Sequence, residues 1–415
     1  MNRKEINEIK ALYDTVQDCS ILKLAGCYVN GDKEKVKIFR ESFLNLPEEE
    51  MYKYLEIFRK TLSGTPGKNL HDMGFTDQYG QEPETGKSLL EEIRRSELND
   101  DGILERFYDC VIGNYKFAGN YLILMIFQTY DVPGVTTDGI EMDDASDEVF
   151  SYILCSICPM KLTKPGLGFD DDLGEIHTLR QIFAVELPET GFLYPAFNGR
   201  STDDGAILYS SKQTDHLQDL FLKNVLGVSA TLPARQQKEG FTEFVADVLG
   251  EDSGFETVLS VQENLSEAVR SKKSEADGET VFLDKDTVRS VFENSGVSEE
   301  KMQSFSRKFD EQFDPVKLQK KQKEETAVSD DEVPFREEPS APVIKVEEKL
   351  FADNVVPARN FEVKTKDMVL RINSKHTDLI DMRVIDGRKC LVIELTDDLT
   401  VNGIPVREAS GVVEC

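Results

Sequence analysis

Residues Phe150 to Met160 are rich in β-branched, aromatic and small apolar side chains, which predicts a buried strand. This run contains Cys155 and Cys158, whose spacing is typical of zinc sites and thiol-exchange centres. On a strand, however, residues i and i+3 point to opposite faces and lie about 10 Å apart, too far for a disulfide and wrongly directed for one metal ion. We therefore expect two buried core thiols, unless a sharp turn brings them together.

Further short apolar runs, separated by Pro, Gly and Asp, indicate that this strand belongs to a mainly antiparallel sheet. Cys19–Val29 and Lys35–Phe43 flank Asn30-Gly31 and predict a hairpin, because Asn-Gly readily adopts the positive φ angles of a tight turn. The other predicted strands are Tyr121–Tyr130, Leu179–Leu187, Gly191–Phe197 and Ala206–Ser210. Helical spacing of apolar residues predicts helices at Pro47–Leu62, Ser88–Arg95 and Asp100–Ile112. The mixture predicts an α+β fold.

Composition divides the 415 residues into four sections. Residues 1–230 are expected to form the mixed α/β domain. Residues 231–313 are predicted to be helical, because apolar residues recur three and four positions apart. Residues 314–356 are rich in Lys, Glu, Asp and Pro and predict a charged flexible linker. Residues 357–415 alternate polar and apolar side chains around Asp386-Gly387, which predicts a small β module.

The net charge of −29 lies almost wholly outside the last section. From Pro357 to Cys415, nine Lys and Arg stand against ten Asp and Glu, a net of −1, so the remainder carries −28. An acidic body repels nucleic acid and anionic membranes. The C-terminal module is electrostatically different and is where an anionic partner is expected to bind.

The cysteine content and the apolar runs predict the compartment. Seven cysteines, an odd number spread over a long chain, are not the framework of a secreted disulfide protein. The charged segment Met1–Lys10 lacks the apolar core of a signal peptide. The longest apolar run, Tyr121–Phe127, is shorter than the ~20 residues of a membrane span. We expect a cytoplasmic protein with no membrane partner.

Cations of the C-terminal module are the best candidates for a nucleic-acid contact. If several share one face, they form a basic footprint that binds phosphate. A half-exposed antiparallel sheet also places Lys and Arg on its wet face and edges, and this alternative stays open. The candidate residues are Lys364, Lys366, Arg371, Lys375, Arg383, Arg388 and Lys389.

Other patterns that resemble chemical sites favour an ordinary surface. Gly80–Ser88 is similar to a phosphate-binding loop, but it is one residue too long and is acidic. The acid clusters at Glu141–Glu148 and Asp170–Asp172 lack the spacing of a calcium loop. His177 and His216 have carboxylate neighbours, but no nucleophile in a strained turn accompanies them. We expect no catalytic residue, metal ligand or cofactor.

Several strings resemble a bacterial family catalogued as a domain of unknown function, number 4317. They are Glu56–Gly64 (EIFRKTLSG), Tyr130–Pro133 (YDVP), Tyr152–Pro159 (YILCSICP) and Glu186–Asn198 (ELPETGFLYPAFN). The resemblance covers most of the chain. It implies a fold shared with other cytoplasmic proteins of this family and no known catalytic residue. The order of elements is also similar, more distantly, to the nucleoid-associated protein family NdpA, which implies nucleoid or DNA association without catalysis.

Three functions follow from these patterns. The first is a non-enzymatic nucleoid- or nucleic-acid-associated scaffolding protein that uses the C-terminal module. The second is a metal-dependent enzyme that uses Cys155, Cys158 or an Asp cluster. The third is a protein–protein adaptor.

Overall fold

A computed structural model describes most of the chain. The described residues are 1–17, 20–75, 86–135, 141–170, 174–178, 180–215, 217–228, 232–250, 254–276, 280–313, 350–356, 360–373, 376–394, 400–401 and 404–405. The chain divides into two compact units, one made of residues 1–237 with 276–280 and the other of residues 238–275 with 281–415. Among the described residues, no helix has both the length and the apolarity needed to cross a membrane.

The first unit contains the mixed helices and strands. Its elements are α1 (Arg3–Ala11), β1 (Lys23–Val29), β2 (Lys35–Ser42), α2 (Glu48–Thr61), β3 (Leu70–Gly74), α3 (Gly86–Arg95), α4 (Asp101–Asn114), β4 (Asn120–Val135), β5 (Glu141–Leu162), β6 (Leu167–Asp170), β7 (Glu175–Thr178), β8 (Phe183–Val185), β9 (Thr190–Tyr194), β10 (Ala196–Asn198), β11 (Ser201–Asp203), β12 (Ala206–Ser211) and a π-helix (Phe221–Leu226). The helix starts follow ordinary capping chemistry: Asn2 and Glu5 form a capping box at α1, and Asp100 caps α4.

Eight strands form one sheet in the order β2-β1-β4-β5-β9-β12-β3, with β8 paired to the end of β5. Every pairing in it is antiparallel. The α+β class predicted from the sequence is therefore confirmed. Strand β5 lies at the centre because β4 and β9 pair along its two edges.

The central strands of the sheet are buried on both faces, so the first unit has two cores. The first core lies on the face covered by α3, α4 and the π-helix, and it includes Phe107 and Phe192. The second core lies on the face covered by α1 and α2, and it includes Phe58 and Tyr152. Because side chains alternate along each strand, the central strands contribute apolar residues to both cores.

The hairpin of β1 and β2 is present as predicted, but its turn differs from the expected one. The left-handed residue is Lys33, with φ of 64°, rather than Gly31. The Asn30 side chain accepts hydrogen bonds from the backbone N–H groups of Asp32 and Glu34, at 3.1 and 2.8 Å. Asn therefore organises a longer loop here, a local bonding pattern that Asn side chains often adopt.

The second unit is helical at first and ends in short hairpins. Its elements are α5 (Ala234–Leu249, which begins in the first unit), α6 (Phe255–Glu275), β13 (Phe282–Leu283), α7 (Lys285–Asn294), α8 (Glu299–Gln312), β14 (Leu350–Phe351), α9 (Ala352–Val355), β15 (Asn360–Lys364), β16 (Val369–Asn373), β17 (Ile380–Ile385), β18 (Arg388–Ile393), β19 (Thr400–Val401) and β20 (Ile404–Pro405). Phe244 lies at the centre of its aromatic core, with the rings of Phe305 and Phe309 at centroid distances of 5.2 and 5.3 Å.

The last seven residues of the predicted linker are structured. Strand β14 pairs with β13, and the Phe351 ring lies 4.9 Å from the Phe282 ring. The side chains of Leu350, Ala352 and Val355 are buried, so these seven residues supply apolar contacts that stabilise their structure. Residues 314–349 of that predicted linker lie outside the described residues.

Candidate nucleic-acid interface

The candidate cations lie on two separate hairpins of the second unit. The first hairpin is β15 with β16, and the second hairpin is β17 with β18. Lys364, Arg371, Arg383, Arg388 and Lys389 fall on these strands, and Lys366 lies in the first hairpin's turn. Lys375 lies outside the described residues.

One face of the first hairpin is polar and the other is apolar. The register pairs Glu362 with Arg371 and Lys364 with Val369, so Glu362, Lys364 and Arg371 share the exposed face. Phe361 and Ile372 pair on the opposite, half-buried face. The alternation of polar and apolar residues along each strand therefore explains why one face of the hairpin is polar and the other apolar.

The second hairpin is anchored at its base and exposed towards its tip. Thr377 donates a hydrogen bond from Oγ1 to Glu263 of α6 at 2.5 Å, and Ile380 is only 4 % exposed. At the tip, Asp386 and Gly387 have φ angles of 50° and 74°. Two consecutive left-handed residues are the tight hairpin turn that Asp-Gly predicts.

Two of the candidate arginines are paired with acids of their own hairpin. Arg371 Nε lies 2.8 Å from Glu362, and its hydrogen bond lowers the pKa of that carboxyl. Arg383 Nε lies 2.7 Å from Asp381, where the same cause lowers the pKa of the carboxyl. Each pair is exposed, so it contributes little stability, but it neutralises part of the basic surface.

The remaining described cations have no ion pair with any carboxylate in the part of the chain that the structure describes. They are Lys364, Lys366, Arg388 and Lys389. The register puts Arg383 and Arg388 on one face of the second hairpin and Lys389 on the other. The cations therefore surround the second hairpin instead of forming a single flat patch.

Apolar side chains accompany these cations, and the sequence analysis did not identify them as a surface. Val384 is 70 % exposed, Val369 51 % and Ile385 48 %. The alternation of polar and apolar residues in the C-terminal strands suggested that the apolar side chains would lie on a buried face. Whether a strand's apolar side chains are exposed depends on whether another element packs on them, and the residue pattern of the strand does not contain this information.

One comparison with known proteins identifies a family. The model of the family "Domain of unknown function (DUF4317)" matches residues 1–324 and 324–404. The chain belongs to this family. No curated protein and no solved structure matches the chain. The second DUF4317 match covers both hairpins, so they are part of the family's domain and not an appended tail.

The CxxC pair of the DUF4317 chain lies on β5, within the buried part of the sheet. Cys155 belongs to the first core and Cys158 to the second, so the two thiols face opposite sides of the sheet as predicted. Both residues are fully buried, and burial raises the pKa of each thiol well above its ordinary value. Two neutral thiols on opposite faces do not bind one metal ion or form a disulfide.

Most of the other candidates lie at least partly outside the described part of the chain. This applies to residues 80–85 of the phosphate-loop-like segment, to His216 and to the side chains of the acid clusters other than Glu148. Glu148 accepts hydrogen bonds from Ser201 Oγ at 2.6 Å and from the Thr202 backbone at 3.0 Å, and these lower the pKa of its carboxyl. It therefore fastens β11 to β5. Among the described residues, no group of three His, Cys, Asp or Glu side chains is arranged to hold a metal ion.

One titratable residue was missed by the sequence analysis. His71 on β3 is 2 % exposed, and its ring lies 6.3 Å from that of Tyr209. Burial lowers the pKa of His71 to about 4, so the ring is neutral at neutral pH. The only trace of β3 in the sequence is the short segment that contains Leu70, His71 and Met73. A segment of this length does not predict a strand by itself.

Proposed function

We propose that this cytoplasmic DUF4317 protein is a non-enzymatic nucleic-acid-associated protein, and that the two C-terminal hairpins contact the nucleic acid. The observation that carries the proposal is the second hairpin, a narrow two-stranded ribbon anchored at one end. From Met382 to Lys389 every residue of it is exposed. A two-stranded ribbon fits the major groove of duplex DNA, which is about 12 Å wide.

Charge supports the same surface. Each hairpin carries three cations and two acids, within a chain whose net charge is −29. Arg388 and Lys389 follow the turn directly and lack an acid partner among the described residues. The acidic body opposes non-specific attachment elsewhere, because like charges repel. The similarity in element order to the NdpA family supports nucleoid association in particular.

Fluorescence anisotropy with a labelled DNA duplex tests the proposal. The wild-type chain should bind with an affinity that falls as salt rises, with a slope of about −3.6 in log K against log salt if four phosphates are contacted. The variant Lys364→Glu, Lys366→Glu, Arg388→Glu, Lys389→Glu should lose most of this affinity and most of the slope.

A matched control changes charge equally without touching the hairpins. Exposed lysines of the first unit serve for this purpose: Lys37, Lys53, Lys60 and Lys68. Changing these four to Glu should preserve most of the binding. The proposal fails if the wild-type chain does not bind at low salt, or if the control loses affinity as strongly as the hairpin variant.

A protein–protein adaptor is the second candidate, favoured by the exposed apolar side chains of the second hairpin. Met382 and Val384 lie on one face and are 42 % and 70 % exposed. An exposed strand edge with apolar neighbours can add a strand from another protein. A pull-down should then retain a stoichiometric partner with wild type and with Val36→Asp, which alters an exposed valine on β2, but not with Val384→Asp. Retention by all three proteins would contradict this candidate.

A further inference from the structure

The exposed part of the second hairpin has two chemically different faces. Ile385 pairs directly with Arg388, and Arg383 lies two residues before Ile385, so these three side chains share one face. This set is the arginine face. The side chains of the opposite face are Met382, Val384 and Lys389. Planar guanidinium groups therefore lie on one side of the hairpin.

Arg383 is held in place by an acid of the arginine face. Its side chain is 65 % exposed, and its Nε donates a hydrogen bond to Asp381 Oδ2 at 2.7 Å. Asp381 lies two residues earlier on the same strand, which puts it on the same face. Among the described residues, the terminal amino groups Nη1 and Nη2 of Arg383 have no hydrogen-bond acceptor. The guanidinium is thus fixed at one edge, and its terminal fork is available to another group.

The carboxylate beside Arg383 favours a base edge over a phosphate as that group. A phosphate contact depends mainly on charge, and the negative charge of Asp381 weakens it. A base edge presents neutral acceptors in a fixed geometry, so a guanidinium that is already oriented binds it better. In the major groove, guanine is the base that presents two adjacent acceptors, O6 and N7, to such a fork.

Arg371 of the first hairpin has a similar pair, because its Nε donates to Glu362 at 2.8 Å. The opposite face of that hairpin is half-buried through Phe361 and Ile372. The second hairpin is exposed on both faces from Met382 to Lys389. It therefore fits more readily into a groove about 12 Å wide.

We propose that the arginine face of the second hairpin contacts the base edges of the DNA major groove, where Arg383 recognises guanine and Asp381 is a positioning residue. This inference rests on the proposed function, since it requires that the second hairpin binds duplex DNA. It adds a sequence preference to that binding and assigns it to one side chain.

Fluorescence anisotropy of the full chain with three duplexes tests the preference. The first has an alternating G·C sequence, the second contains 7-deazaguanine in place of guanine, and the third contains inosine. A bidentate arginine–guanine contact gives roughly 5- to 150-fold discrimination, so removal of the N7 acceptor should weaken binding several-fold. Inosine retains O6 and N7 and lacks only the minor-groove amino group, so it should bind as guanine does.

Arg383→Lys keeps the charge of the side chain but removes the fork. The ratio of affinities for the guanine and 7-deazaguanine duplexes should fall to about one, and the salt slope should not change. Arg289→Lys is the matched control, because Arg289 Nε also donates to an acid, Glu293, at 2.9 Å, but lies on α7 outside the hairpins. The control should keep the ratio.

Asp381 variants test the positioning role. Asp381→Ala should lower the ratio without weakening the binding of 7-deazaguanine DNA, because it frees the guanidinium and removes a negative charge. Asp381→Asn should restore most of the ratio, since its side-chain oxygen still accepts from Arg383 Nε. A merely structural role would instead change the affinities for both duplexes equally.

The outcomes separate this inference from the proposed function. A wild-type chain that binds none of the duplexes would overturn both. Binding that does not distinguish guanine from 7-deazaguanine would overturn the inference alone. So would a ratio that survives Arg383→Lys, or one that Arg289→Lys lowers as strongly.

Discussion

Strands β5 and β17 both contain apolar side chains but lie in opposite environments. In β5, neighbouring strands pair on both edges and helices cover both faces, so Cys155 and Cys158 are fully buried. Within the described part of the chain, β18 is the one strand that pairs with β17, and Val384 remains 70 % exposed. Whether a side chain is part of a core or part of a contact surface is therefore decided by the layers around its strand. Cys155 and Cys158 are therefore core residues, whereas Val384 is exposed to solvent.

Truncating one apolar side chain in each region should have very different effects. Phe192→Ala removes a fully buried ring that packs edge-on against Phe107 in the first core. It should lower the free energy of unfolding of the first unit by about 3–5 kcal/mol. Val384→Ala should change stability by less than about 0.5 kcal/mol. Urea denaturation followed by far-UV circular dichroism measures both, and equal effects would contradict the contrast.

The buried ring of His71 should make the first unit sensitive to acid. Its pKa is about 4 when folded and 6.5 in an unperturbed residue, so the unfolded chain binds more protons between these values. Stability should therefore decrease as pH falls from 6.5 to 4, by at most about 3 kcal/mol.

The variant His71→Phe should lose this part of the pH dependence. His376→Phe, which changes an exposed histidine, is the control and should retain it. Thermal unfolding across the pH range provides the measurement. An unchanged profile in His71→Phe would show that other groups cause the acid sensitivity.

The thiols of β5 should be unreactive until the sheet unfolds. Mass spectrometry after brief alkylation should find Cys155 and Cys158 unlabelled in native protein, whereas Cys390 on the second hairpin, which is only half-buried, should be labelled. Cys155→Ser should cost about 1–3 kcal/mol, because it places a hydroxyl in the apolar first core. Rapid native labelling of Cys155 would contradict its position.

A small, local effect is expected at the turn of the second hairpin. Gly387 has φ of 74°, so Gly387→Ala should strain the turn by about 1–2 kcal/mol. Because β17 and β18 are not strands of the sheet of the first unit, the unfolding transition of that unit should be unchanged. Hydrogen exchange in residues 380–393 should increase, and a shift of the sheet's own transition would show that the two regions are coupled.

The local parts of this fold were predictable from the sequence, and the parts that depend on distant neighbours were not. The opposite orientation of Cys155 and Cys158 follows from strand geometry alone, and the turn at Asp386-Gly387 follows from its residue types. The exposure of Val384 depends on the absence of a covering layer among the described residues, which no local pattern encodes.

The same limit applies to the predicted interface. Its seven cations were chosen by type, but the pairing of Arg371 with Glu362 and of Arg383 with Asp381 depends on the register of each hairpin and on side-chain rotamers. Strand β3 was missed because its apolar run is short and its partner β12 is distant in sequence. Buried His71 was missed for the same reason.

Hydrogen-exchange mass spectrometry with and without a short DNA duplex tests most directly whether the hairpins are the contact surface. At low salt, the duplex should slow exchange in residues 360–373 and 380–393 and leave the strands of the central sheet unchanged. Protection confined to the first unit, or no protection anywhere under conditions where the duplex binds, would contradict the account.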